Sequence, residues 1–507
     1  MFENGGGEVK KNGPCVIVIF GITGDLANKK IIPALFRLFA MGLLDGKTRI
    51  AGIGRRTYSN IEYNEYILNS VSKENAADDL KRKFAEMNIY ICSDFSSSGA
   101  FNVIRDGLRK VATDNRICNF LYYLSTPPQN FAEIIHGIAA SGLESPDFLD
   151  VSCAGAFVRV VIEKPYGSDL ESARKLNEKV LSVFSEDQIF RIDHYLGKET
   201  VQNIMFFRFL NGIFEPVWNR NFISSVNIRV FESDGIGKRA NYFDGAGIIR
   251  DIIQNHSLQM LSLIAMEPTV STAPENIRNE KLKVLKAIRP FDPSEPDKYL
   301  VRGQYTAGNV GGVAVCSYRD EPGVAKNSGT ETFAMVKLFI DNWRWAGVPF
   351  YLSAGKRMAV RLTEVTVDFW PAPHPIFQNV MNRGDRYSNR IIIRVQPDEG
   401  ISLRIFSKAP GFKMEPKPVT MNFNYSTSFA EKLPEAYERL ILDALNGDAT
   451  LFMRSDEIEA AWEYITPLLD CSKVSCTPLK YYASGTPGPD CCDFNGDNEP
   501  PALRAEP

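Results

Sequence analysis

The chain carries only four histidines, His136, His194, His256 and His374. A reaction that needs a base working near neutral pH therefore has few candidates. His256 falls in a helix-forming stretch, in line with Ile249, Ile252, Ile253 and Met260. On such an apolar face a histidine is either a satisfied core residue or a buried base. His194 lies in Arg191-Ile192-Asp193-His194-Tyr195-Leu196-Gly197-Lys198-Glu199. There His194, Tyr195 and Lys198 gather two possible cations and a hydroxyl, a set able to hold a small dianion by charge-assisted hydrogen bonds. The same residues also suit a charged loop between two domains. Near the start, Gly21-Ile22-Thr23-Gly24-Asp25-Leu26-Ala27 reads GxxGxxA. Its glycines permit a tight turn whose backbone N–H groups approach a pyrophosphate, and a following helix N-terminus adds partial positive charge. On spacing alone it is equally an ordinary strand–helix turn. Thirty residues on, Gly54-Arg55-Arg56-Thr57 ends an apolar run with no acid. NAD sites place Asp or Glu there and NADP sites a cation, so Arg55 and Arg56 read either as a ribose 2′-phosphate site or as two solvated arginines, and beside the glycine turn the first is favoured.

The elements that must position these residues change along the chain. CVIVIFG from Cys15 reads as a buried strand, followed by a helix that Pro33 kinks or divides. RIAGIG, NFLYYLST (119–126) and FVRVVIE (157–163) are further strands with helical stretches between them. This alternation predicts a right-handed, doubly wound parallel sheet. After about residue 190 the strands SVNIRVFE, TFAMVKLFID, VTVDFW and NRIIIRVQ come with fewer helices between them, as in a mostly antiparallel sheet with helices on one face. The expected fold is α/β plus α+β: a flexible tail over 1–12, a Rossmann-like domain over 13–192, a larger β+α domain over 193–485, and a flexible tail over 486–507.

Composition places few limits on this reading. The 507 residues are 44% hydrophobic and 23% charged with a net charge of −3, which excludes collagen-like and wholly disordered chains and gives no sign of a nucleic-acid or membrane partner. Nine cysteines are scattered without a CxxC pair, so reduced thiols in a cytoplasm are expected, with neither a disulfide framework nor a metal site. The first residues hold no apolar run of signal-peptide kind.

The nonapeptide around Asp193 resembles the signature of the glucose-6-phosphate dehydrogenase family. GITGDLANKK, EKPYGSDL (163–170), FDGAGIIRDIIQNHSLQ (243–259), MEPTVSTAPENIRNEKLKVLKAI (266–288), VPFYLSAGKRM (348–358) and NRIIIRVQPDEGI (389–401) support it in the family's order, over about residues 14–485. The resemblance implies oxidation of glucose 6-phosphate at C1 with hydride transfer to NADP⁺, the first step of the oxidative pentose phosphate pathway. It makes His256 the general base and Asp193 the carboxylate that orients it. It gives Lys164, His194, Tyr195, Lys198, Glu232, Asp251, Lys356, Arg361 and Gln396 to the substrate, with Lys164 between sugar and cofactor. It gives Gly21, Thr23, Gly24, Asp25, Leu26, Arg55 and Tyr123 to the cofactor, and it implies a homodimer or homotetramer. Animal members bind a second, structural NADP⁺. Here Ser353 and Leu362 stand where those enzymes have an arginine and a lysine, and Ser402 and Arg404 replace an aromatic–lysine pair, so no structural nucleotide is expected. The competing readings are an NAD-using hexose-6-phosphate dehydrogenase and a non-catalytic NADP(H)-binding paralogue.

Overall fold

The computed structural model describes residues 13–97, 99–374, 376, 388–429, 433–473 and 477–491. The chain divides into two compact units. The first holds Met1–Gly197, Ala273–Arg278 and Pro434–Ile458, and the second holds the remainder.

In the first unit six strands pair in parallel: β1 (Cys15–Phe20), β2 (Arg49–Gly54), β3 (Asn88–Cys92), β4 (Asn119–Leu124), β5 (Val158–Ile162) and β6 (Ile189–Ile192). All six residues of β1 are buried, as an apolar run in a sheet covered on both faces requires. The spatial order β3-β2-β1-β4-β5-β6 is that of a dinucleotide-binding sheet, with the strand order reversing beside β1. The sequence showed β1, β2, β4 and β5. β3 and β6 are short, and β3 is half-buried and less uniformly apolar, which hides its period. A late segment completes the sheet. The two-residue strand β17 (Phe452–Met453) pairs antiparallel with β6, and helix Ala436–Asn446 packs on helix Ile32–Ala40. Arg37 ties these helices through Glu438, and through Glu435 at 3.3 Å. Pro33 sits in the first turn of helix Ile32–Ala40, which continues from a π-helical turn at Ala27–Ile31. The helix runs on through Pro33 without a break, and the change from π to α pitch falls at Ile31–Ile32.

Two expectations are corrected. Cys118 and Cys153 form a disulfide. β4 and β5 are parallel neighbours with Phe120 opposite Val158, so the residue before β4 meets the loop entering β5. Their Cα atoms are 5.7 Å apart, inside the range a disulfide spans. The start of the expected C-terminal tail is also packed: Thr486 bridges Met358 and Cys491 is buried. Residues 1–12 and 492–507 of the two tails lie outside the described residues.

The second unit is built on a nine-stranded sheet. Its strands are β7 (Ile223–Phe231), β8 (Leu300–Thr306), β11 (Phe333–Phe339), β12 (Pro349–Gly355), β13 (Leu362–Phe369), β14 (Arg390–Gln396), β15 (Gly400–Lys408), β16 (Pro416–Asn424) and β18 (Leu479–Ala483). β9 (Gly308–Val310) and β10 (Val313–Val315) form a separate hairpin. The order is β16-β15-β14-β13-β7-β12-β11-β8-β18, antiparallel except for β7/β12 and β8/β18. β14 alternates, with Ile391, Ile393 and Val395 buried, and helix Glu199–Phe209 packs on it. Against β12 and β7 lies a helical segment in three parts: Ala240–Ile248, a π-helical stretch Ile249–Ser257, and Leu258–Ala265. Gly247 has φ +70° and sits against the Glu331 carboxylate, where a Cβ would clash, so only glycine fits this bend.

Candidate active site

The glycine turn follows β1 directly. Gly21 has φ +82°, and a Cβ there would lie 2.7 Å from the Ser125 carbonyl oxygen. The Gly21 and Ile22 N–H groups donate to the Ile53 carbonyl of β2, and Gly24 N–H donates back to Gly21. Thr23 and Leu26 lie in the same turn, where the following helix begins, and Asp25 pairs with Lys29 at 3.1 Å on the surface. Arg55 and Arg56 are exposed just beyond β2. The first unit thus carries a backbone cradle at the reversal point of its sheet and two arginines at the next strand end, the arrangement expected for a dinucleotide with a charged ribose.

Five more of the expected residues belong to this unit. Tyr123, fully buried in β4, donates to Glu163 Oε1 at 2.6 Å. Glu163 directly follows β5 and precedes Lys164, whose bond to Pro165 is cis. Burial pushes the Glu163 carboxyl above its usual range, against hydrogen bonds from Tyr123 and Tyr437. Burial, and then the Glu163 charge, raise Tyr437 as well, so the phenol donates and the carboxylate accepts. The Tyr437 ring stacks on His194 at 6.2 Å and 9°. Asp193 is wholly buried, and its Oδ1 accepts the Tyr195 N–H at 2.9 Å. Glu163 and Tyr437 escaped the sequence reading as site residues. Glu163 stands inside EKPYGSDL without a role, and nothing local marks a tyrosine that arrives from residue 437.

In the second unit Lys356, fully buried, places Nζ 2.7 Å from Glu232 Oε2 and 3.1 Å from Asp251 Oδ2. Three expected substrate residues from distant segments therefore form one cluster, and its two carboxylates provide hydroxyl acceptors beside a donor. A buried ammonium is tolerated only when so paired. His256, also buried, follows Asp251 by five residues on the π-helical stretch. In an α-helix that spacing would turn the two about 140° apart. The i→i+5 repeat of a π-helix stacks them on one side, a placement the apolar periodicity did not reveal. Separately, Lys198 donates to Gln396 Oε1 at 2.6 Å, and Gln396 donates to Thr363 at 3.1 Å. Lys198 immediately precedes helix Glu199–Phe209.

Arg361 lies apart from that cluster. It is exposed and lines a pocket of about 320 Å³ together with Leu362, Arg229, Arg390 and Arg394. Those three arginines face acids: Arg229 and Arg394 pair with Glu364 at 3.2 and 3.4 Å, and Arg390 with Asp368 at 2.6 Å. Ser353 is buried in β12 and Ser402 bonds Asn422. Three of the four arginines that line this pocket already serve internal carboxylates, and with Ser353 and Leu362 in place of the arginine and lysine of animal members no second nucleotide is expected. Native mass spectrometry of gently purified protein is expected to find at most one NADP⁺ per chain, and added NADP⁺ stabilises the fold through that one site by mass action. Two per chain would refute this.

A parallel sheet that cradles a dinucleotide at its first turn, joined to a second unit with a buried histidine and paired carboxylates, defines a nicotinamide-dependent oxidoreductase. Residues 18–203 match the glucose-6-phosphate dehydrogenase NAD binding domain, and residues 205–497 the C-terminal domain. Glucose-6-phosphate 1-dehydrogenase 2 of Mycobacterium tuberculosis is 44% identical over 94% of this chain and 92% of its own length. The Bacillus subtilis glucose-6-phosphate 1-dehydrogenase is 40% identical over 94% and 95%. Among solved structures, a glucose-6-phosphate dehydrogenase in complex with its substrate glucose-6-phosphate superposes with a TM-score of 0.86 at 36% identity, covering 96% of this chain and 98% of the other. The Mycobacterium avium glucose-6-phosphate 1-dehydrogenase gives 0.82 at 33%, over 98% and 100%. The chain belongs to the glucose-6-phosphate dehydrogenase family.

Proposed function

We propose that this chain oxidises glucose 6-phosphate at C1 to 6-phosphogluconolactone, transferring hydride to NADP⁺. His256 removes the C1 hydroxyl proton as the C1 hydride leaves for the nicotinamide ring, and Asp193 orients that base. Glu232 and Asp251, held by Lys356, accept sugar hydroxyls. Lys198, with His194 and Tyr195, holds the phosphate, which the positive end of helix Glu199–Phe209 also favours. Lys164 lies between sugar and cofactor, and Tyr123 stands on the nicotinamide side. The observation that carries this reading is the π-helical stretch. It sets Asp251, already tied to Lys356 and Glu232, on the same side as His256.

The experiment is to mix protein, NADP⁺ and glucose 6-phosphate and follow NADPH absorbance. No signal with any hexose 6-phosphate leaves only a binding paralogue, and a higher kcat/KM with NAD⁺ gives the NAD-using variant. Cofactor choice is read at Arg55. Arg55→Ala is expected to raise the KM for NADP⁺ about 10-fold or more, the order of a lost hydrogen bond to a charged group, and to leave the KM for NAD⁺ nearly unchanged. An equal effect on both would show that Arg55 does not read the 2′-phosphate.

The same reading places the enzyme in the cytoplasm, opening the oxidative pentose phosphate pathway. Among the described residues no helix is long and apolar enough to cross a membrane. It also makes the protein a homodimer or homotetramer. Phe206, Leu210 and Met421 are more than half exposed and line one groove with Phe214, an apolar surface of the kind a subunit contact covers.

A further inference from the structure

Four tyrosines meet beneath the cofactor edge of the first unit. Tyr58 lies 5.2 Å from Tyr90 and 6.0 Å from Tyr66 between ring centres, and Tyr63 lies 4.9 Å from Tyr90 and 6.2 Å from Tyr66. Two of their hydroxyls reach backbone carbonyls that matter for the cofactor. Tyr66 donates to the Ile22 carbonyl at 3.0 Å, inside the glycine turn. Tyr90 donates to the Arg56 carbonyl at 2.5 Å, in the arginine loop after β2. Ile22 is thereby held on both sides, since its N–H already donates to Ile53.

The strand between these anchors is cut to fit the tyrosines. A Cβ on Gly54 would lie 2.8 Å from the Tyr90 hydroxyl, and one on Gly52 would run into the Tyr63 hydroxyl and the Ile22 side chain. Glycine inside a strand weakens it unless something must approach closely, and here the approaching groups are tyrosines. Burial pushes both Tyr66 and Tyr90 up to about 12, so each hydroxyl keeps its proton and donates throughout the working pH range.

We propose that Tyr66 and Tyr90 are cofactor-positioning residues: Tyr66 fixes the pyrophosphate turn and Tyr90 fixes the 2′-phosphate loop, so that their shared ring cluster sets the distance between the two ends of the dinucleotide site. This rests on the NADP⁺ reading above. The two ties have different signatures, because pyrophosphate is common to NAD⁺ and NADP⁺ and the 2′-phosphate is not. Tyr90→Phe keeps the ring and removes only the tie to Arg56. It should raise the KM for NADP⁺ about 3- to 10-fold, the worth of one neutral hydrogen bond, and leave the KM for NAD⁺ within about twofold. Tyr66→Phe should raise both cofactor KM values by a similar factor. Gly54→Ala, which displaces the Tyr90 hydroxyl while keeping it, should reproduce the Tyr90→Phe selectivity. The KM for glucose 6-phosphate serves as the internal standard, since a general loss of structure would move it together with the cofactor constants.

The proposal is overturned if Tyr90→Phe raises both cofactor constants equally or neither, or if Tyr66→Phe affects NADP⁺ alone. A wild-type protein that fails to reduce NADP⁺ with glucose 6-phosphate would sink the functional reading instead. The ties are then judged by calorimetric Kd values for NADP⁺ and NAD⁺ on the same variants, with the same pattern expected.

Discussion

His256→Asn is expected to fold, to bind glucose 6-phosphate, and to lose at least ~10²-fold in kcat, the low end for removal of a general base. Asparagine is the informative replacement. It keeps a polar side chain of similar size in a fully buried site, so the cavity and the π-helical stretch survive while the basic nitrogen is removed. Substrate binding, read by calorimetry, should change little, because the cluster of Lys356, Glu232 and Asp251 is untouched. A near-normal kcat would remove His256 from the mechanism and return it to the core. Asp193→Asn should be damaged in kcat in the same way. If the carboxylate acts only by orienting the base, the double variant should be little worse than either single one, as for groups that work as a unit.

Lys198→Ala should lower kcat/KM for glucose 6-phosphate by roughly 10- to 150-fold, the scale of a lost hydrogen bond to a charged group. Of His194, Tyr195 and Lys198, only the lysine is permanently charged, and it stands at the start of helix Glu199–Phe209. Its amine donates to Gln396 Oε1 at 2.6 Å. The phosphate sits on C6, far from the reacting C1. Its binding energy can hold the sugar for reaction, so part of the loss should appear in kcat. The weak turnover of free glucose should barely change, because that substrate has no phosphate to lose. Equal losses on both substrates would mean that Lys198 supports the fold or the chemistry, and that the phosphate is held elsewhere.

The coenzyme half was legible because its signals are local. An unbroken apolar run made β1, and two glycines made the turn, whose geometry depends on the φ of Gly21 and on the strand beside it. The strands of the second sheet that the sequence showed, β7, β11, β13 and β14, carry apolar and β-branched residues over seven to nine positions. Strands such as β3 and β17 were missed because a short or half-buried strand leaves no period to read. Individual site residues were reached through the family's segments, since a lysine such as Lys356 has no signature of its own.

The sequence by itself determined that a glycine turn between a strand and a helix precedes a separate β-rich unit, and which few residues are candidates for a base near neutral pH. These follow from backbone preference and residue type, which act over a few positions. Only the tertiary structure decided how those residues are grouped. Lys356 is buried, so it must find its charge partners wherever the sheet brings them, 105 and 124 residues back along the chain at Asp251 and Glu232. The π-helical stretch that turns His256 to the side of Asp251 is likewise set by packing against β7 and β12. Tyr437 comes to Glu163 on a helix packed against the first unit's own helix Ile32–Ala40, and Cys118 comes to Cys153 because β4 and β5 are sheet neighbours. Contacts of that kind arise from burying surface in three dimensions, and the linear order of residues does not encode them locally.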